Sequence, residues 1–120
     1  MILIIGGRAS GKRKTALDRF GLQAKTVSPE AAFTAPCIDQ FHQLLRQVMD
    51  AGNDPVQFTE ELLRRNPDAV ILCDEIGLGI VPMDKRERLW REAVGRCCQR
   101  IAAQAQQVIR VVCGLSQVLK

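Results

Sequence analysis

The first fifteen residues, MILIIGGRASGKRKT, constrain the fold more than any other stretch of this sequence. Residues 2–5 are uniformly apolar, which is typical of a central strand that is covered on both faces. Glycines follow at Gly6, Gly7 and Gly11, and Lys12 stands where a helix can begin. A strand, a glycine-rich turn and a helix start in this order predict a loop that wraps around phosphate groups.

The chemistry of such a loop comes from its backbone N–H groups, the positive end of its helix and its lysine. Lys12 is the predicted catalytic residue, because its ammonium group would neutralise charge on the outer phosphates. The alternative is an ordinary glycine-rich turn between a strand and a helix. The predicted phosphate-binding residues are Gly6, Gly7, Arg8, Ala9, Ser10, Gly11, Lys12, Arg13 and Lys14.

Arg13 departs from the usual pattern of a phosphate-binding loop. A Ser or Thr normally follows the lysine and places its hydroxyl on Mg²⁺. Arg13 has no hydroxyl, and Thr15 lies two positions too late to replace it. Arg13 and Lys14 would instead neutralise phosphate directly, which predicts phosphate binding without metal-assisted chemistry.

Composition limits the classes of protein to consider. The chain has 120 residues, 47% of them hydrophobic and 25% charged, which predicts a single domain over 1–120. Aromatic residues make up only 4%, so a stacking platform for nucleic acid is not expected, and the net charge of +4 suits a triphosphate ligand. No apolar run is long enough to span a membrane. Five cysteines without a C-x-x-C pattern indicate reduced thiols in the cytoplasm.

Buried strands alternate with helices along the chain. This order predicts an α/β protein, a three-layer α/β/α sandwich with a mostly parallel central sheet, similar to P-loop NTPases. On the first helix we expect Ala16, Leu17 and Phe20 to face inward. The expected helices are 12–20, 38–49, 55–65 and 85–106, and the expected strands are 2–5, 69–73 and 108–113, with short strands at 25–27, 31–35 and 118–119.

Two acidic residues follow the apolar run 69–73. Asp74 and Glu75 would lie at the carboxyl end of a strand, beside the phosphate loop, and carboxylate oxygens are ligands that Mg²⁺ prefers. We therefore predict both as metal ligands. The alternative is a solvated acidic turn.

Two further motifs carry a resemblance to a known family. Residues 74–82 read DEIGLGIVP, and a helical segment follows that contains Arg88, Trp90, Arg91, Glu92, Gly95 and Gln99. Together with GGRASGK, they make the chain resemble the adenosylcobinamide kinase / adenosylcobinamide-phosphate guanylyltransferase family of cobalamin biosynthesis. The resemblance implies GTP or ATP as the nucleotide, adenosylcobinamide as a corrinoid partner, Arg91 as a phosphate contact and a homo-oligomer. It also implies Glu75 as a catalytic residue, because Glu75 matches the family's acid.

The sequence also departs from that family. Its members carry a His-rich segment in which one histidine takes the guanylyl group, whereas the one histidine here, His42, is interpreted as a packing or surface residue. Pro36 stands where the family has an acid that supports Mg²⁺, so Pro36 and Arg13 together weaken the expected metal site. Two hypotheses follow: an adenosylcobinamide kinase that has lost guanylyl transfer, or a non-catalytic nucleotide- or phosphate-binding paralogue with a regulatory or partner-binding role.

Overall fold

The computed structural model describes residues 1–76 and 84–120. The sequence predicts a glycine-bearing loop at 76–82, and its residues 77–82 lie outside the described residues. The strands are β1 (Ile2–Gly6), β2 (Cys37–Ile38), β3 (Val70–Asp74), β4 (Gln107–Val112) and β5 (Leu115–Val118). The helices are α1 (Lys12–Phe20), α2 (Phe41–Asp50), α3 (Pro55–Arg65) and α4 (Lys85–Gln104), with a 3₁₀ turn at Ala31–Phe33.

The strands form one sheet in the order β2-β3-β1-β4-β5. β1 is central and runs parallel to both β3 and β4, β2 runs parallel to β3, and β5 closes the edge antiparallel to β4. The register places Gly6 opposite Asp74. The carboxyl end of β3 therefore lies directly beside the start of the glycine-rich loop.

Two apolar clusters cover the two faces of the sheet. Successive residues of β1 alternate between them: Leu3 belongs to the cluster with α2, α3 and α4, and Ile4 to the cluster with Ala16 of α1. Ile71 and Leu72 of β3 alternate in the same way. Because side chains on a strand point to opposite faces in turn, α1 covers one face and the other three helices cover the opposite face. The predicted α/β/α sandwich with a mostly parallel sheet is confirmed.

Helix α3 begins where the sequence predicts, for a local chemical reason. The Asp54 carboxylate accepts a hydrogen bond from the backbone N–H of Val56 at 2.8 Å, and Pro55 occupies the first turn. Within the described residues, none of the helices has the length and apolarity needed to cross a membrane.

Four predictions about local structure are wrong. Leu17 is 56% exposed rather than inward, because α1 packs through its neighbour Ala16. The segment 31–35 contains a 3₁₀ turn instead of a strand. Ile38 belongs to β2 rather than to a helix, since Gln40 has a left-handed backbone (φ 51°) and α2 begins only after it. The strand expected at 25–27 is reduced to a single bridge between Lys25 and Ile38.

Candidate functional site

The glycine-rich loop connects β1 to α1 and is braced by the turn that follows β4. The backbone N–H of Ser10 donates to the Gly7 carbonyl at 3.2 Å, and the N–H of Gly114 donates to the Ser10 carbonyl at 2.7 Å. Gly11 has a left-handed backbone (φ 105°), and a Cβ there would lie 3.2 Å from the Gly114 Cα. The backbone conformation of Gly11 therefore favours glycine, and a side chain there would also crowd the turn after β4.

The start of α1 faces the loop without a side-chain cap. Its N-cap residue is Gly11, which has no side chain to accept from the first-turn N–H groups. Those N–H groups have no intrahelical partners, and they carry the positive end of the helix dipole. The Thr15 hydroxyl donates to the Gly11 carbonyl at 3.0 Å, so its proton is used in a hydrogen bond within the first turn of α1. An anion at the loop would satisfy the N-terminal donors.

Lys12 is buried, with only 8% of its side chain exposed. Its ammonium group donates to the Gly7 carbonyl at 2.8 Å and to the Gly6 carbonyl at 3.3 Å. The same nitrogen lies 2.8 Å from Asp74 Oδ1 at the end of β3. The structure thus brings together the predicted catalytic lysine and one of the two predicted metal ligands; their chemical roles stay predictions.

His42, on the first turn of α2, lies against the same aspartate. Its Nδ1 accepts from the Asp74 backbone N–H at 3.3 Å, and its Nε2 lies 3.4 Å from Asp74 Oδ2. This arrangement fits a neutral ring with its proton on Nε2. Burial lowers the pKa of His42 from its ordinary value of 6.5, more than the Asp74 charge raises it. His42 is buried, as one of its two sequence interpretations expected, but it also takes part in the Lys12–Asp74 network.

A second carboxylate at the site, which the sequence does not single out, pairs with another basic residue of the loop. Asp39 follows β2, is 5% exposed, and its Oδ2 forms an ion pair with Nε of Arg13. Its Oδ1 accepts from the Gln40 N–H at 2.8 Å. The signal was present in the sequence, because an apolar pair precedes Asp39 just as the apolar run 70–73 precedes Asp74. A helix that includes Ile38 hides this pattern, because Asp39 then no longer follows a strand.

Glu75 is close to the loop through its backbone, while its carboxylate turns to another strand. Its N–H donates to the Gly6 carbonyl at 2.8 Å. Its Oε1 lies 2.9 Å from Nε of Arg110 on β4, and Oε2 accepts from that guanidinium at 3.3 Å. The predicted metal-binding and catalytic roles of Glu75 stay predictions.

Three other sequence expectations concern residues around the site. Arg91 lies half-buried on α4, and its contact with phosphate stays a prediction. Pro36 contributes its backbone carbonyl, which accepts from the Val70 N–H at 3.0 Å and ties β2 to β3. In the part of the chain that the structure describes, no group of three His, Cys, Asp or Glu side chains is arranged to hold a metal ion.

The chain is similar to proteins of cobalamin biosynthesis. A family model described as cobinamide kinase / cobinamide phosphate guanyltransferase matches residues 31–119. The bifunctional adenosylcobalamin biosynthesis protein CobU of Salmonella typhimurium is 29% identical over 110 residues, which cover 78% of this chain and 61% of that protein. The protein of the same name from Escherichia coli is 34% identical over 80 residues, covering 66% and 42%. The chain thus spans about half the length of these curated relatives.

Proposed function

The chain belongs to the cobinamide kinase / cobinamide phosphate guanyltransferase family, and we propose that it binds the phosphates of GTP or ATP at residues 6–14. The family suggested by the sequence motifs is confirmed. The match to the family model begins at residue 31 and leaves out the glycine-rich loop. The proposal for the loop therefore depends on its own geometry.

One observation carries the proposal: a buried lysine is held inside a glycine-rich loop at the start of a helix. Placing a charged ammonium where only 8% of the side chain is exposed is unfavourable unless other groups compensate. Here two loop carbonyls and Asp74 compensate, and they hold the nitrogen of Lys12 where it would meet a phosphate seated on the α1 N-terminus. An ordinary strand-to-helix turn needs no such residue.

The reaction we propose is transfer of a phosphoryl group from the nucleotide to adenosylcobinamide, since the family relatives act in adenosylcobalamin biosynthesis. Lys12 would stabilise the charge on the transferring group, and Arg91 would contact phosphate. Glu75 would be a second catalytic residue beside the loop. Guanylyl transfer is not part of the proposal, because the one histidine, His42, turns both ring nitrogens towards Asp74. We also propose that residues 1–120 form a single domain and that the protein assembles as a homo-oligomer. It would act in the cytoplasm, where the five free cysteines would stay reduced.

A second candidate is a nucleotide- or phosphate-binding paralogue without turnover. The ion pair between Arg13 and Asp39 favours it, because a guanidinium stands at the position from which a hydroxyl would assist the metal. Such a protein would keep affinity for the nucleotide and serve a regulatory or partner-binding role.

Calorimetric titration with GTP and ATP tests the binding proposal. We expect Lys12→Ala to weaken binding by at least about tenfold, because the ammonium–phosphate contact is charge-assisted. Arg19→Ala is the matched control, since Arg19 is exposed in the last turn of the same helix. Thermal melts show whether each variant folds. Equal affinities for the wild type and a folded Lys12→Ala variant would refute the phosphate loop.

Incubation with adenosylcobinamide and each nucleotide separates the two candidates. Phosphorylated adenosylcobinamide, detected by chromatography, supports the kinase and excludes the paralogue without turnover. Nucleotide binding without any product supports the second candidate.

A further inference from the structure

The carboxylates around the phosphate loop are paired with cations that the chain itself supplies. Asp74 binds the ammonium of Lys12, Asp39 binds the guanidinium of Arg13, and Glu75 binds a guanidinium on β4. In P-loop proteins an acidic residue at such a strand end and a hydroxyl after the lysine hold Mg²⁺. Here these three carboxylates are paired with protein cations, and the residue directly after Lys12 has no hydroxyl.

These residues do not fit a resident magnesium ion. Mg²⁺ demands near-octahedral oxygen ligands at short distance. At nucleotide sites it is held by one or two carboxylates together with phosphate oxygens and water. Here the candidate carboxylates Asp74, Asp39 and Glu75 are each already paired with a protein cation. The Thr15 hydroxyl, one turn along α1, donates to its own helix. A divalent ion beside Asp39 would also lie next to the positive charge of Arg13, which disfavours it.

Arg13 is paired with a buried carboxylate and remains largely exposed. Its Nε pairs with Asp39, which is almost fully buried and fixed by a further hydrogen bond to its own loop. The Arg13 side chain is 67% exposed, so most of it is open to a ligand from solvent. A guanidinium presents its donors in a planar fork that matches two phosphate oxygens.

We propose that the guanidinium of Arg13, oriented by Asp39, replaces the divalent cation, so that the loop binds the polyphosphate of a nucleotide without Mg²⁺. This inference rests on the proposed nucleotide binding and adds to it the form of the ligand: the metal-free nucleotide. Lys12 and Arg13 then contact the phosphates from two sides, while the N-terminal N–H groups of α1 bind the oxygens between them.

Titration of the wild-type protein with GTP in excess MgCl₂ and in EDTA tests the inference directly. We expect the two dissociation constants to agree within about twofold. Binding that falls more than about tenfold in EDTA would overturn the inference and leave the proposed function standing. Absence of binding in both buffers would refute the proposed function and the inference with it.

The variant Arg13→Ser restores the hydroxyl that the pattern lacks. In EDTA we expect it to bind GTP at least about tenfold more weakly than the wild type, and to regain affinity when MgCl₂ is added. Arg19→Ser removes the same charge from the other end of α1 and is expected to change neither value. If Arg13→Ser binds GTP in EDTA as tightly as the wild type, Arg13 does not replace the metal.

Discussion

Gly6 and Gly7 are adjacent glycines in the loop, and the structure predicts that replacing each with alanine has a different effect on stability. A Cβ at Gly6 would lie 2.5 Å from the Val111 carbonyl oxygen on β4 and 2.5 Å from the Ser10 hydroxyl oxygen. A Cβ at Gly7 would meet nothing within 4 Å. Neither residue has the left-handed backbone that would disfavour alanine.

The size of the effect depends on which neighbour can move. The Ser10 hydroxyl can rotate away at small cost, but the Val111 carbonyl belongs to β4, which is paired along its length with β1. The clash therefore has to be relieved by shifting backbone. Overpacking of this kind costs about 1–3 kcal/mol, which we expect for Gly6→Ala. For Gly7→Ala we expect a change within about 0.5 kcal/mol.

Urea unfolding followed by circular dichroism measures both free energies. For a chain of this size, each kcal/mol lost should also lower the melting temperature by about 4 °C. The double variant Gly6→Ala/Ser10→Ala removes the movable neighbour and keeps the clash with Val111, so it should remain destabilised. Equal stability of the Gly6→Ala and Gly7→Ala variants would refute the argument that β4 limits the space at Gly6.

Two further predictions concern titratable side chains. Because burial lowers the pKa of His42 below 6.5, the unfolded chain takes up a proton before the folded chain does as the pH falls. The free energy of unfolding should therefore fall from pH 6.5 down to the folded-state pKa, and His42→Gln should remove this slope in urea titrations. Burial, with a smaller contribution from Asp39, raises the pKa of the Cys37 thiol to about 11, whereas Cys113 is exposed. A thiol reagent at mildly alkaline pH should therefore label Cys113 before Cys37, as read by peptide mass spectrometry.

The parts of the fold that the sequence predicts correctly are those decided by local chemistry. The apolar runs, interrupted only by Arg110 in β4, identify β1, β3 and β4 to within one residue at each end, and α1 has the predicted bounds. The start of α3 follows from Asp54 as a capping residue and Pro55 in the first turn. In each case the residues that determine the element lie inside it or next to it.

The parts that the sequence predicts wrongly depend on distant partners. β2 has only two residues, and it is a strand because Cys37 and Ile38 pair with β3, more than thirty positions later. The 3₁₀ turn before it is held by the Ser28 hydroxyl, which accepts from the Ala31 N–H at 3.2 Å. The side-chain amide of Asn66 also donates to two carbonyls of this segment, each at 2.8 Å. Helical periodicity gave no sign of these contacts.

The dependence on distant partners also explains why the sequence identifies some residues of the site and not others. Lys12 and Asp74 were expected together because the carboxyl ends of neighbouring parallel strands meet at one edge of a sheet. Asp39 belongs to the same edge, but that position becomes visible only when β2 is recognised as a strand. Arg13 was identified as a departure from the pattern, and the structure supplies its partner.

The structure also changes which residues of the loop are evidence for phosphate binding. Gly6 and Gly11 are required by packing against β4 and the turn after it, so a loop that binds nothing would need them too. Gly7 is required by neither space nor conformation, and the buried charge of Lys12 has to be offset by two loop carbonyls and Asp74. Gly7 and Lys12 are therefore the loop residues that point to phosphate binding rather than to packing. If the loop binds nucleotide, Gly7→Ala should weaken GTP binding without loss of stability, because the added methyl group would meet the ligand instead of the protein. A Gly7→Ala variant that binds GTP as tightly as the wild type would place the phosphates away from Gly7.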